Sequence, residues 1–346
     1  MQVQATKRIY QILRDEIEQK VYPPGSKFPS EADLAWRFEV SKLTMNKIVA
    51  LLVQDGLLIR GVRGAGTRVA ERIKLTGNKL AFFIQLSPYS MRVLKGALAE
   101  CNRSDYQLIV ESPEIENWNE RIQLAIDSGV QGIICMGYGI PVVPDDVNTV
   151  CVDLYNTMGS TRKNFLFVNS DNFHGGQLMM EEIFRRGHRN ILIFSTERYV
   201  ISSNAPVSPR ISGFHAVMKE NGVTDFAKRT YYGHPGSRDD AKYFLKHYLK
   251  RYPDTTLIAA DSDGSAELLA TVAREVNVDC PGKIALTGFG DVTSLPIASV
   301  DQNPEFQGTL AVRTLSSLLQ SPQLETASDP VETTLARVES IPIILS

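Results

Sequence analysis

The sequence predicts an α/β protein in which a small helical unit with a β-hairpin precedes a larger region of parallel sheets covered by helices. Three observations support this prediction. Residues 22–69 hold a spaced series of prolines, glycines and serines of the kind that begins and ends short helices. From Lys79 onward, apolar strands alternate with amphipathic helices. Residues 1–75 are basic, with 13 lysines and arginines against 8 acidic residues, and the remainder is acidic.

The length and composition of the chain indicate more than one globular domain. At 346 residues, it exceeds the usual size of a single domain. The N-terminus lacks the apolar core of a signal peptide, and no apolar run is long enough to span a bilayer, so we expect a cytoplasmic protein with no membrane partner. Widely spaced cysteines predict buried thiols rather than disulfides or a zinc site, and no metal or other cofactor is expected. They are Cys101, Cys135, Cys151 and Cys280.

The first 56 residues predict three helices. Residues 3–20 carry apolar side chains at helical spacing, and Pro23-Pro24-Gly25 ends that helix. Ser30 and Ser41 are suited to cap the second and third helices, because a serine hydroxyl can accept a hydrogen bond from an N–H group of the first turn. The pattern therefore predicts a first helix followed by a short helix, a tight break and a longer third helix.

The third helix is predicted to have two unlike faces. Its inward positions are Met45, Ile48, Val49 and Leu52, and its outward positions are Lys42, Leu43, Asn46, Lys47 and Ala50. Short polar and basic side chains suit contact with base edges in a major groove. Two short strands, 57–60 and 67–70, then flank a glycine-rich tip that includes Arg63, and such a tip can approach a phosphate or enter the minor groove. Either feature alone is more often a solvated face or a simple turn; together they predict a DNA-binding helix-turn-helix with a β wing.

Residues 7–70 resemble the winged helix of GntR-type transcription regulators. The motifs that carry the resemblance are Pro24-Gly25, Pro29-Ser30-Glu31, Leu34-Ala35, Val40-Ser41, Thr44, Gly56-Leu57 and Gly64-Ala65-Gly66-Thr67. The resemblance implies that a double-stranded DNA operator is held by Ser30, Glu31, Ser41, Lys42, Thr44, Gly64, Gly66 and Thr67. The outward helix face adds Asn46 and Lys47, and the tip adds Arg63. The family often has arginine at the positions of Ala32, Lys42 and Asn46, so we expect a different operator sequence here.

A short charged linker, residues 71–78, leads into the alternating region. The predicted strands are 80–86, 107–110, 132–136, 149–153, 190–195, 256–260 and 284–288. The predicted helices are 89–102, 117–128, 173–186, 209–221, 238–251, 263–276 and 305–319. Strands and helices that alternate in this way form parallel sheets with helices on both faces, and their number predicts two lobes.

In open parallel sheets, ligands bind beyond the carboxyl ends of the strands. The side chains that follow the predicted strands are aromatic, acidic, hydroxyl and amide groups, a set that suits a polyhydroxylated ligand. The candidates are Tyr89, Tyr138, Asn156, Ser262, Asp263 and Asp291, with Asp153, Thr196, Asp261 and Phe289 at equivalent positions. The alternative is that some of these groups, Asp263 among them, only cap the helix that follows.

Residues 79–346 resemble the effector domain of LacI/GalR-type repressors, which is similar to periplasmic sugar-binding proteins. The carrying stretches are 168–176, 186–191, Arg210-Ile211-Ser212-Gly213-Phe214, 260–263 and Gly288-Phe289-Gly290-Asp291. The resemblance implies that Arg210 grips the ligand and that Gln302 contributes near a crossing between lobes. It also implies one lobe from 79–167 with 303–325 and a second from 168–302 with 326–346, ending in a strand at 340–345.

Together, the two resemblances imply a layout similar to that of arabinose-type repressors. In this layout, a winged helix at residues 1–70 binds an operator as part of a homodimer, and a small sugar-like ligand controls it. No phosphate loop, nucleophile elbow or zinc-protease motif is present, so no catalytic residue and no enzyme activity is expected. The alternative is a cytoplasmic sugar-binding or sugar-metabolising protein with no role in gene regulation.

Overall fold

The computed structural model describes residues 2–61, 66–70, 78–154, 164–196, 208–320 and 329–344. Its N-terminal unit consists of three helices followed by a hairpin. The helices are α1 (Gln2–Glu18), α2 (Glu31–Arg37) and α3 (Lys42–Gln54), and β1 (Leu58–Arg60) pairs antiparallel with β2 (Thr67–Val69). This is the helix-turn-helix with a β wing that the sequence predicts.

Serine caps and one shared core hold this unit together. The Ser30 hydroxyl accepts a hydrogen bond from the Asp33 N–H at 3.2 Å, and Ser41 does the same for Thr44 at 3.1 Å. Both caps were predicted, and each satisfies an N–H group that the helix itself leaves unpaired. Apolar side chains from all three helices and both strands meet in one buried cluster, which fixes α3 against the hairpin.

Five parallel strands form the first sheet. They are β3 (Lys79–Ile84), β4 (Gln107–Glu111), β5 (Gly132–Met136), β6 (Asn148–Val152) and β7 (Phe165–Val168), and helices α4 (Pro88–Arg103) and α5 (Trp118–Asp127) lie between them in the chain. The order across the sheet is β4-β3-β5-β6-β7. Since the strand order reverses beside β3, the crevice between the carboxyl ends of β3 and β5 is where this topology places ligands.

A second sheet repeats the same plan with four parallel strands. These are β8 (Ile191–Ser195), β9 (Thr230–Tyr232), β10 (Leu257–Ala260) and β11 (Ala285–Thr287), in the order β11-β10-β8-β9. The associated helices are α6 (Asn172–Arg185), α7 (Pro209–Glu220), α8 (Arg238–Tyr243), a π-helical turn (Phe244–Tyr248), α9 (Leu249–Arg251) and α10 (Asp263–Glu275). Here the reversal lies between β8 and β10.

The last part of the chain returns to the first sheet. After β12 (Ser299–Asp301), α11 (Pro304–Gln320) packs against α4 and β6, and β13 (Thr334–Ala336) then pairs antiparallel with β12. Glycines allow α11 and α4 to approach closely. A Cβ atom at Gly96 would lie 1.8 Å from the Glu305 carbonyl oxygen, and one at Gly308 would lie 1.9 Å from that of Val93. The lobe boundaries given above stay predictions.

The structure corrects the predicted C-terminal strand. Residues 338–340 form a 3-10 turn instead of beginning a strand at 340, and the chain from 341 to 344 is irregular. The Ile344 N–H donates to the Arg186 carbonyl oxygen at 2.8 Å, and Ile341 is buried in the core of the second sheet. Local β-propensity suggested a strand, but this segment is tied to the end of α6 rather than to a sheet edge. The structure also has four strands that are absent from the predicted set, the short strands β7, β9, β12 and β13.

All four cysteines are buried free thiols, as predicted. Burial raises the pKa of the Cys101 thiol to about 11 and that of Cys280 to about 12, so both are protonated at neutral pH. Within the described ranges, no helix is long and apolar enough to cross a bilayer.

Candidate functional site

The outward face of α3 combines basic and apolar side chains. Lys42, Leu43, Lys47 and Ala50 are exposed, whereas Met45, Ile48, Val49 and Leu52 are buried. This confirms the predicted two-faced helix. The two ammonium groups give the exposed face a positive charge, which suits contact with a phosphate backbone.

Glu31 joins three elements of the N-terminal unit. Its carboxylate accepts hydrogen bonds from the Asn46 amide nitrogen at 3.0 and 2.9 Å and pairs with Arg60 at 3.2 Å. These contacts link the start of α2 to α3 and to β1. The Asn46 amide is therefore engaged within the protein, so its NH₂ group is less available to an adenine. The DNA contacts predicted for Glu31 and Asn46 stay predictions, and this bonding favours a positioning role for both.

The other described DNA-contacting candidates lie at the starts of α2 and α3 and at the base of the wing. The Ser41 and Thr44 hydroxyls are 2.8 Å apart at the start of α3, and Ser30 lies at the start of α2. In the wing, Gly66 is exposed with φ +75°, and the Thr67 carbonyl oxygen accepts from the Phe28 N–H at 2.8 Å. Arg63 and Gly64 lie outside the described residues. The described candidates thus surround the first turns of α2 and α3 and the base of the wing.

In the larger region, Arg210 lies at the reversal point of the second sheet. Its guanidinium donates to the Asn172 amide oxygen at 2.8 Å and to the backbone carbonyl oxygen of Asp261, which follows β10. The group also stacks on Phe289, 3.8 Å from the ring centroid. Arg210 is buried, because α7 approaches α6 through two glycines and brings the side chain under the strand ends. A buried, fixed guanidinium is suited to hold a carboxylate or hydroxyl oxygens.

A second hydrogen-bond network connects helices α4 and α11, on the first sheet, to Ser170 and Gln302, where the chain passes between the two sheets. The amide nitrogen of Gln307, on α11, donates to the hydroxyls of Tyr89 and Ser170, each at 2.6 Å, and to the Gln302 carbonyl oxygen at 2.9 Å. The Gln302 side chain donates in turn to the Asn172 oxygen at 3.1 Å, the atom that Arg210 also contacts. Tyr89, Gln302 and Arg210 are therefore brought together as one connected set.

Asp153 and Asp261 add two carboxyl groups to this set. Burial raises the pKa of Asp153, although the Arg210 charge and a hydrogen bond with Asn172 partly oppose the shift. One Asp261 oxygen accepts from the Ser195 hydroxyl at 2.9 Å, and the other accepts no hydrogen bond from the described residues although it is buried. Burial and the nearby Asp153 charge also raise the pKa of Tyr89, so its hydroxyl stays protonated and able to donate.

Asp263 is placed differently from the other candidates. One of its oxygens accepts from the N–H groups of Val292 and Thr293, at 2.6 and 3.1 Å, and the other accepts from the Ser299 hydroxyl at 2.7 Å. These bonds fix the loop after β11. Ser262 caps α10 by accepting from the Ser265 N–H at 3.1 Å. Both ligand contacts stay predictions; the cap of α10 is Ser262 rather than Asp263, which holds the loop instead.

Of the remaining candidates, Asp291 and Tyr138 lie within the described residues. Asp291 has a left-handed backbone, φ +52°, and pairs with Arg337, while its carbonyl oxygen accepts from Arg92 of α4 at 3.3 Å. Tyr138 follows β5 and packs edge-to-face on Trp118, with ring centroids 5.3 Å apart. Asn156 lies outside the described residues. Asp291 thus anchors its loop to α4, and the ligand contact of Tyr138 stays a prediction.

Three members of the connected set, Ser170, Asn172 and Gln307, were not singled out as site residues from the sequence. Ser170 and Asn172 follow the apolar run 165–168, which forms β7, and that run was the available signal. Gln307 sits on the buried face of α11 and follows no strand, so no pattern in the sequence marked it. Within the described ranges, no group of three or more histidine, cysteine and acidic side chains is arranged to hold a metal ion.

Known protein families match both the N-terminal unit and the larger C-terminal region of the chain. Residues 5–69 match the family described as bacterial regulatory proteins, gntR family, and residues 180–340 match the periplasmic binding protein-like domain. An arabinose metabolism transcriptional repressor of Geobacillus stearothermophilus is 23% identical over 300 residues, which cover 78% of this chain and 77% of that protein. A Bacillus subtilis HTH-type regulator, YurK, is 40% identical over 62 residues, or 18% of this chain. The match spans about a quarter of that relative's length.

Solved structures share the fold of most of the chain. A complex of the regulator CelR with cellobiose superposes with a TM-score of 0.62 at 18% identity, covering 86% of this chain and 90% of that one. A LacI family regulator from Enterococcus faecium with bound ribose superposes with a TM-score of 0.61 at 16% identity. The superposition covers 77% of this chain and all of that one. The chain thus joins an N-terminal domain of the gntR regulatory family to a periplasmic-binding-protein-like domain, and is homologous over most of its length to an arabinose metabolism repressor.

Proposed function

We propose that this chain is a transcriptional repressor that binds operator DNA through residues 1–70 and responds to a small sugar-like ligand held near Arg210. The observation that carries the proposal is that one chain holds both structures: a helix with an exposed basic face beside a wing, and a buried arginine at the carboxyl ends of parallel strands. The first suits duplex DNA and the second suits a small polar molecule. The protein is proposed to be a cytoplasmic homodimer without catalytic activity.

A sugar is the ligand that best fits the chemistry of the strand ends. Sugars present hydroxyl groups that donate and accept, together with an apolar ring face. Arg210 and the Tyr89 hydroxyl offer donors, Asp153 and Asp261 offer acceptors, and Tyr138 offers an aromatic ring. Two related structures hold cellobiose and ribose, and a homologous repressor is named for arabinose metabolism, which supports a carbohydrate as the ligand here.

The connected set suggests how ligand binding reaches the DNA. Gln307 and Tyr89 belong to elements on the first sheet, whereas Asn172 and Arg210 belong to helices on the second. A ligand that contacts both groups would favour one arrangement of the sheets over another. In a dimer, this would change the distance between two winged helices that must meet half-sites about 34–36 Å apart. A coupling of about 1–3 kcal/mol would change operator affinity about 5–150-fold.

A sugar ligand is expected to raise the melting temperature of the protein. Binding to the folded state alone stabilises it by about 2.7 kcal/mol when the ligand is present at 100 times its Kd. The measurement is a thermal-shift screen of arabinose, ribose, cellobiose and other pentoses and hexoses with their sugar acids, using mannitol as a linear polyol control. If all of them shift the melting temperature no more than mannitol does, the sugar assignment is wrong.

Replacing Lys47 with alanine is expected to weaken DNA binding and reduce its salt dependence. Each phosphate contact that is lost lowers the slope of log affinity against log salt by about one unit, because fewer counterions are released. The measurement is fluorescence anisotropy on the best-bound genomic fragment, from 50 to 300 mM salt. Lys246→Ala is the matched control, since Lys246 is an exposed lysine on the π-helical turn. An equal slope in the two variants would remove Lys47 from the DNA-binding surface.

A further inference from the structure

Leu43 is the most exposed of the large apolar side chains of α3. It is 69% exposed, whereas Met45, Ile48 and Val49 are at most 1% exposed. A single exposed leucine is ordinary on a protein surface, so exposure alone carries no conclusion. What distinguishes Leu43 is its position in the first turn of α3, on the helix face that carries Lys42 and Lys47.

The charges around Leu43 indicate the nature of its partner. Lys42 precedes it, and Lys47 lies one helical turn further along on the same face; both are exposed. An apolar protein partner would have to desolvate these two ammonium groups, at a cost. An anionic partner would be attracted by them. The leucine therefore lies in a setting that suits a polyanion with an apolar group between its charges.

The polar side chains next to Leu43 are engaged within the protein. The Ser41 hydroxyl caps the helix and contacts the Thr44 hydroxyl at 2.8 Å, and the Asn46 NH₂ group is held by both oxygens of Glu31. These contacts reduce the hydrogen-bonding capacity that the first two turns of α3 can offer to base edges. Between these polar groups and the two lysines, the exposed side chain is an aliphatic one.

Duplex DNA displays one apolar group on its base edges in the major groove, the 5-methyl group of thymine. We propose that Leu43 packs against a thymine 5-methyl group and makes the winged helix select thymine at that base pair. This inference rests on the DNA-binding part of the proposed function and adds a specificity contact to it. Lys42 and Lys47 bind the DNA phosphates on either side, and the leucine supplies the base discrimination that phosphate contacts lack.

The test replaces thymine by deoxyuridine, which lacks the 5-methyl group and keeps the same hydrogen-bonding groups. A binding site is first selected from random duplexes with the full-length wild-type protein, and each thymine of that site is then replaced singly. Wild-type affinity is expected to fall about three- to fivefold at one thymine of each half-site, the loss that corresponds to one methyl group no longer buried. At the other thymines, the affinity should stay unchanged.

Two variants make the assignment specific to Leu43. Leu43→Ala is expected to bind the thymine duplex more weakly than the wild type and to show no difference between thymine and deoxyuridine at the sensitive position. Leu51→Ala, a truncation of a less exposed leucine two turns along the same helix, is expected to keep that difference. Both variants should melt at or near the wild-type temperature, because neither side chain belongs to the buried core.

Each outcome has a distinct meaning. If the wild type selects a site but no thymine is sensitive to deoxyuridine, the thymine contact is wrong and the repressor proposal stands. A thymine preference that persists in Leu43→Ala assigns the methyl contact to another side chain and also overturns the inference. Should Leu43→Ala change the oligomeric state in sedimentation and leave site preference intact, the leucine belongs to a protein contact. If the wild-type protein selects no binding site from the random duplexes, the proposed repressor function itself is wrong.

Discussion

Replacing Arg210 with alanine is expected to abolish the thermal response to every active sugar in the screen while leaving the DNA affinity of the ligand-free protein unchanged. The guanidinium is buried at the reversal point of the second sheet and contacts Asn172, Asp261 and Phe289 at once. In the proposed complex it also makes charge-assisted hydrogen bonds to the ligand, each worth about 1.5–3 kcal/mol, and the variant loses them. A loss of this size weakens ligand binding at least tenfold.

The matched control is Arg189→Ala. Arg189 also lies over a phenylalanine, Phe184, and donates to backbone carbonyl oxygens at 2.7 and 2.9 Å, but it precedes β8 and so lies at the amino ends of the strands. This variant should keep the sugar response. Calorimetry that shows equal sugar affinity in Arg210→Ala and Arg189→Ala would place the ligand elsewhere. Arg189 is exposed whereas Arg210 is buried, so the melting temperature of each ligand-free variant is measured first and the sugar response is taken relative to it.

Replacing Gly308 with alanine is expected to lower the free energy of unfolding by about 2–3 kcal/mol, since the added methyl group overpacks the contact between α11 and α4. A Cβ atom at this position would lie 1.9 Å from the Val93 carbonyl oxygen and 2.8 Å from the Ala97 nitrogen, and both neighbours are backbone atoms of α4. The helices must therefore move apart. Urea unfolding followed by circular dichroism measures the effect as a lower midpoint.

Gly264→Ala is the control for the helix propensity of alanine. Gly264 is an exposed residue of α10, and a Cβ atom there would meet only the Ser262 hydroxyl, at 4.0 Å. This variant is expected to gain up to about 1 kcal/mol, because alanine restricts the unfolded chain and favours the helix. If Gly308→Ala unfolds at the wild-type midpoint, the close approach of α11 and α4 does not contribute to stability as the geometry indicates.

The sequence alone predicted the features that depend on neighbours close along the chain. Helix caps at Ser30 and Ser41, the two faces of α3 and the alternation of strands and helices all follow from the spacing of a few residues, and the structure confirms them. The rule that ligands bind beyond strand ends led to Tyr89 and Asp261, which the structure connects to Arg210. Arg210 itself was identified by a family motif rather than by position along a strand.

Only the tertiary structure decided which of these side chains have partners. The Glu31 carboxylate meets Asn46 and Arg60 across 15 and 29 residues, and Gln307 meets Tyr89 across 218. Tertiary packing brings such pairs together, and the local spacing of residues along the chain does not predict them. The same reason explains Asp263, whose oxygens hold a loop about thirty residues away, and the segment after Ser340, which the end of α6 rather than its own β-propensity keeps in place. Spacing along the chain thus sets the elements and their faces, whereas long-range contacts decide which polar groups stay available to DNA and ligand.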